Sequence, residues 1–265
     1  FGALPRSYTA ASSVRALTIV GGMTKDPTRR IAETGQFLID VMGLDTPGLP
    51  LLPGTRGQRA TRGVRLFHSI ARQWLEADPD RWDGERDGIP IDQEEMLATV
   101  LLFSVAALDA LDRMGVDYTE EQAEASVHTC CVAGELMGVG AAGNSPLPLG
   151  YHEARKLGLF IEEKHSEETP EGRQLAKALL DDCVEMVPRG FGWLPRTILH
   201  ELASPEVGKV LGVEPGPRPA QVFLRTVHRV NRVSFRLVRT TPFAAAGAWV
   251  GRRIIKNHGA PQLVA

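Results

Sequence analysis

Proline and glycine divide the chain into segments of helical length, and this division limits the possible folds more than any other feature. Within the segments, apolar residues recur every three to four positions, as they do along one face of an α-helix. Runs of alternating β-branched residues flanked by Asn-Gly or Asp-Gly, which are typical of strands and hairpins, are missing. The sequence therefore predicts an all-α protein.

Helix-start signals mark several segment boundaries. Asp92 with Glu95 three residues later fits a capping box, in which each side chain satisfies a backbone N–H of the first helical turn. Thr119 and Gln122 repeat this spacing. The predicted helices cover about residues 26–43, 58–77, 92–114, 119–138, 151–164 and 169–187, a short stretch from Ser204, residues 219–239, and a last stretch from Pro242.

Composition limits the class of protein. Apolar residues make up 43% of the 265 positions and charged residues 23%, which is the range of ordinary globular proteins. A net charge of -2 argues against a protein that coats nucleic acid. Because no internal repeat or long linker interrupts the pattern, we predict one domain over residues 1–265, with 1–25 as an N-terminal extension or partial helix.

The sequence also bears on the cellular compartment. The sequence contains no run of 18 or more apolar residues of the kind that a transmembrane helix needs, and the chain does not begin with a signal-peptide pattern. Three cysteines, two of them adjacent, do not form a disulfide framework. We expect a cytoplasmic protein. Peripheral membrane contact and the loss of a targeting segment before Phe1 stay open, because the first residue is not Met.

His68 is the first candidate for chemistry, because helical spacing puts it on an apolar face with Val64 and Leu75. A core histidine bonded to a carbonyl is the simpler interpretation. Arg65 and Arg72 border the same face, however, and two cations beside an imidazole favour an anion there. A haem group meets both needs, since its iron takes a neutral imidazole and its propionates accept arginine. Solvent-exposed arginines are the alternative.

A second candidate site lies on the first strong helix. Arg30 and Thr34 are four residues apart, and Glu33 lies on the adjoining face, so that a cation, a carboxylate and a hydroxyl share one surface. Taken alone, such a group is also what an ordinary helix surface carries, with Arg and Glu in a modest ion pair.

These runs together resemble a known family, the bacterial latex clearing proteins (rubber oxygenases) and the fungal oxygenase of mycophenolic acid biosynthesis. The resemblance extends from about residue 26 to the helix at 219–239. It rests on Arg30-x-x-Glu33-Thr34, Val64-Arg65-Leu66-Phe67-His68, the run from Ile89 to Leu97, Phe103-Ser104-Val105, Leu108-Asp109, and the run from Val132 to Val139.

The resemblance implies a globin-like helical fold around a b-type haem, with His68 as the proximal iron ligand. Arg30, Glu33 and Thr34 then fall at the distal positions, where Glu33 replaces the lysine of rubber oxygenases. For the second ring nitrogen of a ligating histidine, a carbonyl or carboxylate partner is expected. Arg65 is expected to contact a propionate, and Arg72 is the other candidate.

The resemblance further implies an oxygenase that uses dioxygen or a peroxide on an apolar small molecule, alkenyl or isoprenoid-like. Oxidative cleavage of a carbon–carbon double bond is the best-known reaction of such relatives. The rival interpretation is a non-catalytic helical protein that binds haem or lipid. The distal cluster of Arg30, Glu33 and Thr34 distinguishes the two, because a carrier does not need it.

Other patterns give weaker signals. His128, Cys130 and Cys131 are too close together for three ligands of a tetrahedral zinc site, although a thiol is also able to ligate haem iron. A basic row on the late helix is formed by Arg225, Arg229, Arg232 and Arg236. It fits a solvated face paired with acidic helices, an anion site or an anionic membrane surface. Asn231 is expected to reach a buried carbonyl or the cofactor edge.

Overall fold

A computed structural model describes residues 2–21, 27–44, 48–140 and 147–238 of the chain. These parts contain thirteen α-helices and one π-helical turn, and no named strand, so the predicted all-α fold is confirmed. The helices are α1 (Leu4–Ser7), α2 (Ala11–Gly21), α3 (Pro27–Met42), α4 (Arg56–Glu76), α5 (Gly84–Asp87), α6 (Gln93–Leu101), α7 (Ala107–Arg113), α8 (Glu120–Met137), α9 (Tyr151–His165), α10 (Pro170–Met186), α11 (Leu194–Leu202), α12 (Pro205–Val210) and α13 (Arg218–Val238).

The predicted capping boxes start α6 and α8. The Asp92 side chain accepts the Glu95 N–H at 2.8 Å, and the Glu95 carboxylate accepts the Asp92 N–H at 3.3 Å. Thr119 and Gln122 make the same reciprocal bonds at α8. Both pairs satisfy backbone donors that a helix N-terminus otherwise leaves free, so these boundaries follow from local sequence.

The N-terminal residues form more regular structure than the predicted extension or partial helix. Helices α1 and α2 occupy most of residues 4–21, and Tyr8 and Val14 are fully buried. Helices α5 and α11 were also not predicted. The single-domain organisation and the globin-like arrangement stay predictions, and the helix expected from Pro242 lies outside the described residues.

Two groups of buried side chains hold the helices together. The larger group joins α6, the π-turn, α8 and α9, with Leu101 and Val127 at its centre. The second joins the N-terminal helices to α10 and α12 around Tyr8 and Leu175. Truncation of a fully buried leucine such as Leu101 typically costs about 2–5 kcal/mol, so both groups fix the helices that surround the site.

Helix α13 lies against the end of α7. Asn231 is buried, and its Nδ2 donates to the Met114 carbonyl at 3.1 Å, which confirms that this side chain reaches a buried carbonyl. Gly115 permits this contact, because its φ is +78° and a Cβ there would overlap the His228 carbonyl oxygen. In the described part of the chain, no helix has the length and apolar character that crossing a membrane requires.

Candidate active site

One large cavity connects the two groups of residues that the sequence singled out. Its volume is about 1500 Å³, and its lining is mostly apolar. His68 on α4 and Arg30, Glu33 and Thr34 on α3 all line it. Sites for drug-sized molecules are typically about 300–1000 Å³, so this cavity has room for more than one small molecule.

His68 contributes an unpartnered imidazole to the cavity wall. Its Nδ1 is buried and has no hydrogen-bond partner in the described part of the chain. The expectation that a carbonyl or carboxylate bonds this ring nitrogen is therefore wrong. The apolar neighbours on its own face of α4 explain this result, since they offer no acceptor. Burial, with the Arg72 charge nearby, lowers the pKa of His68 to about 4. The imidazole is therefore neutral at pH 7 and able to donate a lone pair.

Arg65 and Arg72 flank His68 on α4, but neither guanidinium lines the cavity. Arg72 donates to the carbonyl oxygens of Pro90 and Ile91, and Ile91 has an unusual φ of 54°. Arg65 is exposed and packs against Gly138 at the end of α8. It makes no hydrogen bond or ion pair within the described residues, which leaves its donors available to a ligand. Their contact with a propionate stays a prediction.

The α3 side of the cavity carries a fixed carboxylate. The Glu33 side chain is 14% exposed, and its two oxygens accept from Arg29 Nε at 3.0 Å and Arg30 Nη1 at 3.3 Å. Thr34 also lines the cavity, and its hydroxyl has no hydrogen-bond partner among the described residues. A cation, a carboxylate and a hydroxyl thus face one apolar space, as the sequence predicted.

A π-helical turn at Leu102–Ala106 forms another wall and was not predicted. Ser104 lies in its middle, and the buried Ser104 hydroxyl donates to the Val100 carbonyl at 2.8 Å. Such bonds to the preceding turn bend helices, and π-turns are frequent at functional sites. The turn widens the helix where Phe103 and Val105 face the cavity.

An ion network that is buried at Arg6 and exposed at Arg155 also lines the cavity and was missed from the sequence. Arg6 is 8% exposed, and its Nε donates to Glu162 at 2.9 Å. Arg6 Nη1 lies 4.0 Å from Asp109, whose other oxygen accepts from Arg155 Nε at 3.2 Å. Two guanidiniums thus balance two carboxylates. Arg6 and Glu162 are 156 residues apart, so no local pattern could have paired them.

Cys130 lines the cavity as a protonated thiol. Burial, with a smaller effect of the Cys131 charge, raises the pKa of Cys130 to about 12. To ligate iron as a thiolate, Cys130 would have to lose its proton at a pH far below its pKa. Among the described residues, no group of three His, Cys, Asp or Glu side chains is arranged to hold a metal ion.

Comparisons with known proteins identify a family and a similar solved structure. The family model described as "ER-bound oxygenase mpaB/B'/Rubber oxygenase, catalytic domain" matches residues 2–233. A solved structure, "Structure of Latex Clearing Protein LCP in the closed state", is similar with a TM-score of 0.73 and 22% sequence identity. That similarity covers 97% of this chain and 67% of the other, and shows a shared fold. No curated protein matches significantly.

The family match spans nearly all the helices that build the cavity, and the resemblance found in the sequence is thereby confirmed. The chain belongs to the mpaB and rubber oxygenase catalytic-domain family of oxygenases.

Proposed function

We propose that the protein is a haem b-dependent oxygenase whose cofactor binds in the large cavity with His68 as its iron ligand. The observation that carries this proposal is the unpartnered, neutral imidazole of His68 in the wall of a cavity that Arg30, Glu33 and Thr34 also line. Bound there, haem would supply the redox chemistry of dioxygen that amino-acid side chains lack.

The residues present fit a haem. Haem iron is held by a single neutral imidazole in many proteins, and His68 offers one with both ring nitrogens free of protein hydrogen bonds among the described residues. The volume of about 1500 Å³ accommodates a macrocycle with a further molecule beside it. Arg65, with free donors one turn before His68, is the better candidate for a propionate, because Arg72 already bonds two carbonyls.

Arg30 and Thr34 would orient dioxygen by donating hydrogen bonds from α3. Fixed donors of this kind stabilise negative charge on oxygen at little reorganisation cost in an apolar site. Glu33 would hold or pass a proton at its carboxylate, which the two arginines keep in place. A carboxylate is an anion that accepts a proton, whereas a lysine ammonium is a cation that donates one. Glu33 would therefore distinguish this chain from the rubber oxygenases, for which the resemblance implies a lysine at this position.

The apolar walls define the substrate class. Phe103 and Val105 of the π-turn and Leu66 and Phe67 of α4 offer contacts to an alkenyl or isoprenoid-like chain and exclude water from the reacting atoms. We propose cleavage of a carbon–carbon double bond, in which both atoms of one dioxygen molecule enter the product as two carbonyl groups. This reaction balances without any further reductant.

The proposal is tested by oxygen uptake with squalene as the alkenyl probe. The purified protein should contain haem b in a pyridine haemochrome assay and consume one dioxygen for each double bond cleaved. With ¹⁸O₂, both new carbonyl groups should carry the label. A protein with no haem and no oxygen uptake would contradict the proposal.

The second candidate is a non-catalytic protein that carries haem or lipid, and the size and apolar lining of the cavity favour it. It makes a different prediction in the same experiment. A carrier would bind haem or squalene stoichiometrically, would consume no oxygen, and would be indifferent to replacement of Glu33 and Thr34.

A further inference from the structure

A second, smaller pocket lies between the end of α7, helix α11 and helix α13. Its volume is about 300 Å³. Four arginines, one histidine and a single carboxylate line it; they are Arg113, Arg225, Arg229, Arg232, His228 and Glu201. We call it the arginine pocket. None of its residues belongs to the large cavity.

The positive charge of the arginine pocket is only partly neutralised. Arg225 binds Glu201, with 3.0 Å between Nη2 and Oε1, and Arg232 donates to the Asp112 carbonyl at 3.0 Å and lies 3.8 Å from the Asp112 carboxylate. In the described part of the chain, no carboxylate lies within 4.0 Å of the Arg113 or Arg229 guanidinium. The Arg113 charge does reach the Glu206 carboxylate, but its effect is small: the pKa of Glu206 is lowered mainly by hydrogen bonds to its own backbone and to Ser204. Among the described residues, the Arg113 and Arg229 guanidiniums thus lack a salt-bridge partner.

An exposed apolar row runs beside these arginines on α13. With 3.6 residues per turn, Val222, Phe223, Val230 and Val233 project from a sector about 100° wide next to the arginine sector. These four side chains are 46% to 62% exposed. Exposed apolar side chains next to clustered arginines are typical of surfaces that meet an amphiphile with an anionic group.

We propose that the arginine pocket is a binding site for a phosphate group. Arg113 and Arg229 supply fork-shaped donors that match phosphate oxygens in pairs, and the partial pairing of Arg225 and Arg232 leaves a net positive field around them. A carboxylate would satisfy one fork, whereas the oxygens of a phosphate can accept from two. The phosphate group is that of a lipid headgroup or of a soluble phosphate.

Binding of two probes separates these sources. The first probe is inorganic phosphate, measured by calorimetry; the second is phosphatidylcholine vesicles with and without phosphatidate, measured by flotation. Arg113→Gln and Arg229→Gln should each weaken binding about tenfold, because each removes a charge-assisted hydrogen bond. Arg62→Gln, an exposed arginine on α4 outside both cavities, is the matched control.

Arginine-dependent flotation that requires phosphatidate and that excess inorganic phosphate weakens supports the site and identifies a lipid headgroup. Arginine-dependent calorimetric binding without flotation supports it and identifies a soluble phosphate. Absence of binding in both arms, or binding that Arg62→Gln weakens as much as Arg113→Gln and Arg229→Gln, overturns the proposal. Haem content and helical circular dichroism of each variant show whether it has folded, and they are independent of phosphate binding.

Discussion

Arg30 donates to Glu33 across one turn of α3, with 3.3 Å between Nη1 and Oε2, on the helix face that lines the cavity. Arg29 holds the second carboxylate oxygen at 3.0 Å. The carboxylate therefore cannot turn away from the cavity without losing two charge-assisted hydrogen bonds. The two ion pairs thus hold a carboxylate, a group able to accept a proton, on the wall of the cavity.

Replacement of Glu33 by Gln should lower the rate of oxygen uptake while leaving haem content intact. The amide keeps the shape of the side chain but cannot hold or pass a proton as a carboxylate does, so kcat should fall about 10²-fold. Glu76→Gln, at an exposed position on α4, is the matched control. An unchanged kcat in Glu33→Gln would remove this residue from the proton-transfer step.

Replacement of Thr34 by Val should lower kcat on the order of 10²-fold, because it deletes a hydroxyl donor and retains the β-branched shape. Haem stoichiometry should stay that of the wild type. The rate at which the ferrous protein becomes ferric in air should also change, and this measurement needs no substrate. If both rates equal the wild-type values, the α3 face does not contact dioxygen.

Local signals predicted those parts of the fold that depend on neighbouring residues. Asp92 with Glu95, and Thr119 with Gln122, fixed two helix starts because capping bonds join residues three positions apart. The periodicity around His68 placed it on the apolar face of α4, and in the structure that residue lines the cavity. The resemblance added the joint position of Arg30 and His68, which no spacing could have supplied.

Contacts between distant segments could not be predicted. The Arg6–Glu162 pair joins α1 to α9 across 156 residues, and nothing near either residue indicates the other. The π-turn at Leu102–Ala106 depends on packing, because serines such as Ser104 also occur in many regular helices and do not by themselves indicate a π-turn. Helix α11 was missed, and α2 was predicted only as part of an extension or partial helix, because neither start carries a capping pattern. Buried contacts such as Val14 and Leu199 stabilise these helices instead.

The apoprotein should lose stability as the pH falls from about 6.5 toward 4. In the unfolded chain His68 has its ordinary pKa near 6.5, whereas burial and Arg72 lower the folded value to about 4. As the pH falls, His68 therefore takes up a proton in the unfolded chain before it does so in the folded protein. Above pH 6.5 the imidazole is neutral in both states and costs no stability, whereas up to roughly 3 kcal/mol of the free energy of unfolding is lost between pH 6.5 and pH 4.

Urea unfolding of the apoprotein between pH 7 and pH 4 measures this loss. His68→Gln has no titrating group at this position, so its free energy of unfolding should fall less steeply over the same interval. His152→Gln, which changes a 70%-exposed histidine bound to Glu120, is the control for the loss of any histidine. Parallel curves for the wild type and His68→Gln would show that the His68 pKa is not lowered.

Arg65→Leu should weaken haem retention by about 1.5 to 3 kcal/mol, the worth of a charge-assisted hydrogen bond to a propionate. Transfer of haem to apomyoglobin measures the dissociation rate directly. Arg62→Leu, three residues earlier on the same helix, controls for the loss of an exposed arginine. Equal transfer rates for wild type and Arg65→Leu would leave Arg65 as a surface residue over Gly138.

The haem stoichiometry of His68→Ala shows whether His68 holds haem b in the large cavity. Wild type and variant are reconstituted with haem, separated from free haem and assayed as the pyridine haemochrome, with helical circular dichroism to verify folding. We expect about one haem for each wild-type chain and the loss of most of it from a folded His68→Ala. Full stoichiometry with an unchanged Soret band in His68→Ala would mean that another group holds the iron.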